Sequence, residues 1–235
     1  MDKYALLQAV TLSVITLLLI SVAGCIACDK DNAGDESASE PYTTVSAEDI
    51  KKGLEGLGPI TAGFDIDGTA FFTESVYYYG LNNIDGPNGT NLYGSDPLAD
   101  PEFISRVNNE FVGQYIPKEG AEEIISMHLG RGDKVIFITK KAPSAEERIT
   151  EYIGSVFGIK DPVLIFTNES SKMPYINEED VSVYYGDSDG DITECNDAES
   201  CTPYRFMRNI ITEEYYGESY NPGIYGENVV ENSDC

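Results

Sequence analysis

The sequence predicts an α/β fold with a parallel central sheet, and three observations lead to this prediction. Short apolar runs bounded by turn residues are typical of buried strands; they occur at residues 60–64, Lys134–Thr139, 163–167 and 181–185. Amphipathic helical patterns lie between them, at residues 101–114, 117–130 and 142–157. Asp65, Thr139 and Asp187 stand at or just after the ends of three of these runs. Strands that alternate with helices favour a parallel sheet covered by helices.

The helix predicted at residues 117–130 carries the clearest end signals. Pro117 suits the first turn, Glu119 and Glu122 favour a helix amino terminus, and Gly130 suits the end. Residues 71–100, by contrast, are rich in Gly, Asn, Pro and Tyr. This composition predicts a long irregular excursion of a kind that is often functional, and we expect it to form a small cap.

The first 24 residues predict a cleaved leader of the lipoprotein type. Residues 5–22 are largely apolar after Lys3, and they run into the sequence VAGC at Cys25. This ending resembles a bacterial lipobox, in which Cys25 is lipidated and becomes the new amino terminus. In such lipoproteins Ile26 favours sorting to the outer membrane, so we expect a lipid-anchored periplasmic or cell-surface protein. An ordinary secretory signal and an uncleaved membrane anchor are the alternatives.

Residues 25–58 predict an acidic flexible tether, because residues 29–41 are dense in Asp, Glu, Ser, Ala and Gly without apolar periodicity. We expect the folded domain to span residues 59–235. The whole chain has 15 basic and 41 acidic residues, which gives a formal net charge of −26. This charge argues against binding of a nucleic-acid duplex. An anionic substrate must therefore be held by local cations.

Four cysteines besides Cys25 can form disulfides in an exported protein; they are Cys28, Cys195, Cys201 and Cys235. Four cysteines allow three pairings. Cys195 with Cys201 is our first choice, provided that a turn intervenes, because a continuous helix would hold these two residues too far apart.

The predicted strand ends carry a set of residues that suits phosphoryl transfer. Asp65 and Asp67 follow the first strand, Thr139 ends the second, and Asp187 follows the last. Ligands of open α/β sheets bind at the carboxyl ends of the strands, so we expect these side chains to converge. Two carboxylates can share the roles of nucleophile and general acid, and hard oxygen ligands suit Mg²⁺.

Four motifs in order, FDIDGT, KVIFIT, ESSKMPYI and GDSDGDI, resemble those of the haloacid dehalogenase superfamily. Within it the chain is most similar to the class B bacterial acid phosphatases, through IPKEGAEEIISMHLGRGDKVIFIT and the terminal GENVVENSDC. The likeness covers residues 60–235. It implies a Rossmann-like fold with a small cap, and a homotetramer. It also implies Mg²⁺-dependent hydrolysis of organic phosphomonoesters, including nucleotides, with an acidic optimum.

The resemblance also implies a role for each matching residue. Asp65 is the expected nucleophile, which forms an aspartyl-phosphate, and Asp67 is the expected general acid and base. The expected Mg²⁺ ligands are Asp65, the main-chain carbonyl of Asp67, and Asp187. Asp191 is expected to support the metal shell or to orient Lys172. The expected phosphate ligands are Thr139, the main-chain amide of Lys140, and the ammonium of Lys172.

The chain departs from the class B pattern at two places. Gly68 stands where that class has another Asp, and Lys140-Lys141 stands where it has Gly-Arg. A lysine cannot supply the bidentate contact of an arginine, so the second departure bears on substrate range. Candidates for an aromatic leaving-group pocket are Phe72, Tyr77, Tyr78 and Tyr79; the alternative is packing or a dimer contact.

The sequence bears on three other interpretations. A calcium-binding loop at residues 187–191 is disfavoured, because Ile192 and Ala198 occupy the places of the required Gly and bidentate Glu. A surface lipoprotein that only binds phosphorylated ligands is the alternative function. His128 is the only histidine, so a Ser-His-Asp triad is improbable, and its position within a predicted helix favours a structural role.

Overall fold

The computed structural model describes residues 42–209 and 219–235. The strands of its main sheet are β1 (Thr44–Val45), β2 (Thr61–Phe64), β5 (Lys134–Thr139), β6 (Val163–Phe166), β7 (Val181–Gly186), β8 (Thr202–Arg205) and β9 (Asn228–Val230). They pair in the order β1-β9-β8-β7-β2-β5-β6, and every pairing is parallel. The predicted α/β fold with a parallel central sheet is therefore confirmed.

The helices are α1 (Ala47–Gly53), α2 (Glu74–Asn82), α3 (Pro101–Asn108), α4 (Glu119–Arg131), α5 (Ile149–Phe157), α6 (Met173–Glu178) and α7 (Asp189–Asn196). Two of the predicted helices are shorter than expected. The first ends when Asn109 leaves helical geometry, and a 3₁₀ turn follows at Val112–Gln114. The last begins only at Ile149, and Pro143 disfavours helical geometry in the residue before it.

The prediction of a tether over residues 25–58 is wrong for the part that the structure describes. β1 pairs with β9, and α1 packs the side chains of Ala47, Ile50 and Leu54 into the core. Ser46 and Asp49 form a reciprocal capping box at the start of α1, which stabilises the helix amino terminus. The folded domain therefore begins before residue 59. The leader, Cys25 and residues up to 41 lie outside the described residues, and those expectations stay predictions.

The segment predicted as an irregular excursion contains regular structure. It starts with β3 (Phe71–Phe72), which pairs antiparallel with β4 (Ile116–Pro117), and it continues through α2 and 3₁₀ turns at Pro87–Gly89 and Pro97–Ala99. Together with α3, these elements form what we call the cap region, residues 71–117. Gly80 is required in α2, since a Cβ there would lie 2.1 Å from the Phe103 ring. A tight aromatic contact thus joins α2 to α3.

A buried aromatic layer supports the sheet below its carboxyl edge. The Phe64 ring stacks on Tyr185 with centroids 4.6 Å apart. His128 lies beside them, fully buried, with Nδ1 2.7 Å from Asp133 Oδ2 and Nε2 2.9 Å from the Tyr185 hydroxyl oxygen. These contacts agree with the predicted structural role of His128.

Cys195 and Cys201 form a disulfide with their Cα atoms 5.4 Å apart. The pairing is possible because α7 ends at Asn196 and the chain turns before Cys201, as the prediction required. Cys28 lies outside the described residues. In the described part of the chain, none of the helices combines the length and the apolar character needed to span a bilayer.

Candidate active site

The predicted site residues meet at the carboxyl edge of the sheet. β2 runs into Asp65, β5 ends at Thr139, and β7 runs into Asp187. β2 lies between β5 and β7, so these three residues come from neighbouring strands. Together with Lys172 they line one cavity of about 480 Å³. The edge expected from the strand pattern is therefore the edge that carries the cluster.

Asp65 lies at the centre of this cluster. Its main-chain N–H donates to the carbonyl of Tyr185 over 2.9 Å, which extends the β2–β7 pairing by one residue. Its carboxylate accepts a hydrogen bond from the Lys172 ammonium. Burial raises the pKa of the Asp65 carboxyl well above its usual value; the charge of Lys172 opposes the shift, and that of Asp191 adds to it. A further positive charge at this site would favour the ionised form.

Lys172 precedes α6 and is almost completely buried. Its ammonium lies 2.6 Å from Asp191 Oδ1 and also contacts Asp65. Burial alone would lower its pKa, but the charges of Asp191 and Asp65 outweigh burial and raise the pKa well above the usual value. Lys172 is therefore held as a cation beside the Asp65 carboxylate.

The position of Asp191 is determined by the start of α7. Its Oδ2 accepts hydrogen bonds from the main-chain N–H and the hydroxyl of Ser188, in a second reciprocal capping box. A Cβ at Gly186 would lie 2.2 Å from Asp191 Cβ, so glycine is required where β7 meets this helix. This leaves Oδ1 of Asp191 facing Lys172. The geometry favours the second of the two expected roles, orientation of Lys172.

Carboxylate oxygens of Asp65, Asp187 and Asp191 lie within 4.8 Å of one another. Three buried carboxylates at this spacing suit a hard divalent cation, which prefers oxygen ligands. The raised pKa of Asp65, caused first by burial, agrees with a site where a cation compensates the negative charge. Asp187 and Asp65, two of the three expected ligand residues, belong to this cluster.

Arg208 is a site residue that the sequence analysis missed. Its Nε lies 2.5 Å from Asp187 Oδ2, while the Thr69 hydroxyl donates to Asp187 Oδ1 over 3.2 Å. Burial raises the pKa of Asp187, and Arg208 opposes that shift. In the sequence, the signal that could have identified Arg208 is a basic residue three positions after the end of β8. A strand near position 205 was not predicted, so this signal could not be used.

The carboxylate of Asp67 lies on the side of the cavity that faces the cap region. Its Oδ1 accepts a hydrogen bond from the Thr73 hydroxyl over 2.6 Å and from the Tyr77 hydroxyl over 3.4 Å. Lys141 Nζ lies 2.8 Å from the same oxygen. In the sequence, Lys141 stands where the class B pattern has Arg, next to the expected phosphate ligands. In the structure, Lys141 pairs with Asp67.

Thr139 and Lys140 line the cavity as predicted. The Thr139 hydroxyl accepts a hydrogen bond from the main-chain N–H of Lys141 over 3.3 Å. The ammonium of Lys140 lies 3.4 Å from Glu194 Oε1, so its side chain is engaged at the edge of the cavity. Binding of a phosphate oxygen by the main-chain amide of Lys140 stays a prediction.

The predicted aromatic pocket is wrong in three of its four members. Tyr77 lines the cavity. Tyr78 is 52% exposed, Tyr79 packs on Phe111 with ring centroids 5.2 Å apart, and Phe72 lies against the ammonium of Lys118. Successive residues of α2 point in different directions, so three tyrosines in a row cannot share one pocket.

An apolar wall that sequence analysis did not predict stands in their place. It is formed by three residues of the cap region, which are Leu98, Ile104 and Val107.

Proteins similar to this chain in sequence are named class B acid phosphatases. No family model matches the chain. It is 37% identical to the class B acid phosphatase of Marinomonas sp. (strain MWYL1) over 198 residues, which cover 80% of this chain and 78% of that protein. It is 33% identical to the class B acid phosphatase of Haemophilus parainfluenzae (strain T3T1) over 241 residues, covering 95% and 97%. A haloacid dehalogenase-like hydrolase structure from Xanthomonas campestris matches with a TM-score of 0.42 at 15% identity, covering 76% and 93%.

The fold, the site and these relatives define a hydrolase of phosphate monoesters. The chain belongs to the class B acid phosphatase family, as the resemblance of its motifs predicted.

Proposed function

We propose that this protein is an exported, Mg²⁺-dependent acid phosphatase that acts through an aspartyl-phosphate on Asp65 and accepts nucleotides among its substrates. The observation that carries the proposal is the pairing of Asp65 with Lys172 on one side of the cavity and the presence of Asp67 on the other. A nucleophile, a phosphate-binding cation and a proton donor are the groups that phosphoryl transfer to an aspartate needs.

In the proposed first step, a carboxylate oxygen of Asp65 attacks phosphorus and the bond from phosphorus to the leaving oxygen breaks. Asp67, which carries a proton in the substrate complex, gives it to that oxygen, so the product leaves as an alcohol. In the second step, Asp67 takes a proton from water, the water oxygen attacks phosphorus, and the bond to Asp65 breaks. Inorganic phosphate leaves and both carboxyl groups return to their starting state.

The remaining residues bind the phosphoryl group. Lys172, held as a cation by Asp191, neutralises developing negative charge on the phosphoryl oxygens. Thr139 and the amide of Lys140 line the same part of the cavity. Asp65, the carbonyl of Asp67, and Asp187 would hold the Mg²⁺, which when bound supplies positive charge to the phosphoryl oxygens.

Acceptance of nucleotides is supported by the cap-region side of the cavity. The volume of about 480 Å³ exceeds what a phosphate needs, and Leu98, Ile104, Val107 and Tyr77 offer a partly apolar surface to an organic leaving group. The formal net charge of −26 repels anions at long range. The local cations are therefore what retains the substrate.

The proposals on location and assembly rest on other grounds. Export and lipid anchoring at Cys25 are supported by the apolar leader and the lipobox-like VAGC. A homo-oligomer, expected as a tetramer, is supported only by the family resemblance. Transfer of a Cys25→Ser variant from the membrane fraction to the soluble fraction would support the anchor, and a variant that remained with membranes would contradict it.

The mechanism can be tested by trapping the intermediate. In Asp67→Asn, hydrolysis of the aspartyl-phosphate lacks its base, so we expect an acid-quenched sample to contain phosphate on the peptide that carries Asp65. The good leaving group of 4-nitrophenyl phosphate makes it the suitable substrate, because its departure needs little protonation. Phosphate on another residue, or turnover at the unmodified rate, would contradict the mechanism. Binding of phosphate without turnover by the unmodified protein would favour the alternative, a ligand-binding surface lipoprotein.

A further inference from the structure

Lys141 is a buried cation in the cavity whose position differs from that of a phosphate ligand. Its Nζ lies 2.8 Å from each carboxylate oxygen of Asp67, and its side chain is only 7% exposed. Lys172, on the opposite side, contacts Asp65 and Asp191. The two lysines are therefore each paired with a different one of the two reacting carboxylates.

The surroundings of Lys141 are built to hold an ammonium. Nζ donates to the Tyr77 hydroxyl, and it lies 4.9 Å from the ring centroid of Tyr77 and 5.6 Å from that of Tyr115. Aromatic faces attract a cation at these distances. Burial is the largest single influence and lowers the pKa of Lys141, but the charge of Asp67, together with Tyr115, raises the pKa overall. The ammonium is therefore retained in a place with little access to solvent.

Asp67, in turn, depends on residues outside its own strand. β2 ends at Phe64, and Gly68 adopts a φ of 73° directly after Asp67, so the sheet does not restrain this carboxylate. The groups that restrain it are the hydroxyls of Thr73 and Tyr77 and the Lys141 ammonium. Without Lys141 the carboxylate would keep hydrogen bonds on Oδ1 and could rotate about them.

We propose that Lys141 is a positioning residue that directs the Asp67 carboxyl toward the leaving oxygen, and that it is not a phosphate-binding cation. The proposal rests on the proposed function, in which Asp67 transfers that proton. It predicts that the release of alcohol from alkyl phosphates depends on Lys141. Alkyl phosphates leave as strongly basic alkoxides and need a well-placed proton donor, whereas 4-nitrophenyl phosphate leaves as a weakly basic phenolate.

The test compares these two leaving groups in Lys141→Met. The release of glycerol from glycerol 3-phosphate and of 4-nitrophenol is measured in the first turnover by rapid quench, so that hydrolysis of the intermediate does not enter the rate. We expect the glycerol rate to fall about 100-fold and the nitrophenol rate less than about tenfold. The concentration that gives half the maximal rate should change by no more than about twofold for both.

Three further variants make the result specific. Lys134→Met removes the same charge at the other end of β5, where Lys134 pairs with Glu179 on the surface, and should change neither rate. Lys141→Arg can still donate to a carboxylate and should restore most of the glycerol rate. Thr73→Val removes the other short hydrogen bond to Asp67 and should lower the glycerol rate selectively, which keeps the proposal testable if Lys141→Met does not fold.

Two outcomes would overturn the proposal. An equal fall of both rates with a large rise in the half-saturating concentration would show that Lys141 binds phosphate. If the ratio of the glycerol rate to the nitrophenol rate is unchanged in both Lys141→Met and Thr73→Val, neither residue positions Asp67. The underlying function is checked separately with Asp65→Asn. If that variant still releases nitrophenol, the aspartyl-phosphate mechanism fails whatever Lys141 does.

Discussion

The two halves of the cavity are built in different ways. The sheet half is carried by strand ends or by the loops and helices next to them; its lining residues include Asp65, Thr139, Lys172 and Asp187, and Asp191 contacts Lys172. The cap half consists of the Asp67 carboxylate, its partner Lys141, and residues of the cap region. Tyr77, Leu98, Ile104 and Val107 line the cavity, and Thr73 donates a hydrogen bond to Asp67.

This difference separates two tasks of one reaction. The sheet half contains the groups that would attack and hold the phosphoryl group, and parallel strands hold them in register. The cap half contains the groups that would meet the leaving alcohol, and all of them except Lys141 come from a long segment between β2 and α4. Substitutions in the sheet half should therefore affect all phosphomonoesters alike, whereas those in the cap half should affect some substrates more than others.

The largest effect is expected from Asp65→Asn. Loss of the nucleophile should lower turnover by about 10⁴-fold or more for aryl and alkyl phosphates alike. The assay is phosphate release, with circular dichroism as the check on folding. Asp85→Asn is a matched control, because Asp85 is an exposed acid of the cap region, and it should keep full activity. Residual turnover of one substrate but not the other would contradict the division into two halves.

Removal of the metal should have the next largest effect. Chelation should lower activity more than 100-fold for every substrate, and added Mg²⁺ should restore it. Binding of Mg²⁺ to Asp65, Asp187 and the main-chain carbonyl of Asp67 should also stabilise the folded state, by about 2–3 kcal/mol at a Mg²⁺ concentration 100 times the dissociation constant. Calorimetric unfolding measures this stabilisation by Mg²⁺ independently of activity. Asp187→Asn should lose most of the stabilisation, and Asp85→Asn should retain it.

A smaller and substrate-dependent effect is expected from Leu98→Ala in the cap half. The lost apolar surface should raise the KM for a nucleoside monophosphate about three- to tenfold, because Leu98 is 41% exposed and only part of it can contact a ligand. The KM for glycerol 3-phosphate should stay the same. Leu92→Ala is the matched control, because Leu92 is a similarly exposed leucine of the same region. Equal shifts for both substrates would remove Leu98 from the leaving-group wall.

The smallest effect on catalysis is expected below the sheet, from His128→Leu. This change leaves Asp133 and the Tyr185 hydroxyl without their buried partner and should cost about 2 kcal/mol of unfolding free energy. Activity at saturating substrate should change less than about twofold, since His128 does not line the cavity. Loss of activity in a protein that is still folded would contradict this separation of core and site.

The same variant isolates a pH dependence. Burial lowers the pKa of His128 below 6.5, although the hydrogen bond to Asp133 opposes the shift. The folded protein therefore binds fewer protons here than the unfolded chain does. The contribution of neutral His128 to the free energy of unfolding is therefore complete above about pH 6.5. It is lost as the pH falls through the lowered pKa of His128. The difference in unfolding free energy between wild type and His128→Leu should shrink from pH 7 to pH 5.

Much of the sheet half could be predicted because strand periodicity is local. The runs that became β2, β5 and β7 are visible in the sequence, and the rule for ligand binding at strand ends brings Asp65, Thr139 and Asp187 together. The motif resemblance added Lys172 and Asp191. The prediction failed where the local signal was short or ambiguous. β1 has two residues, and α1 follows an acidic stretch whose composition suggested a tether.

The sequence by itself determined the class of fold and identified the carboxylates proposed to react and the cation beside them, because these follow from patterns within a few residues and from four ordered motifs. Only the tertiary structure decided which residues meet across long separations. Lys141 and Thr73 reach Asp67 from different segments, Arg208 reaches Asp187 from beyond β8, and α2 turns two of three consecutive tyrosines away from the cavity. Such contacts depend on how the cap region packs against the sheet, which no local pattern specifies.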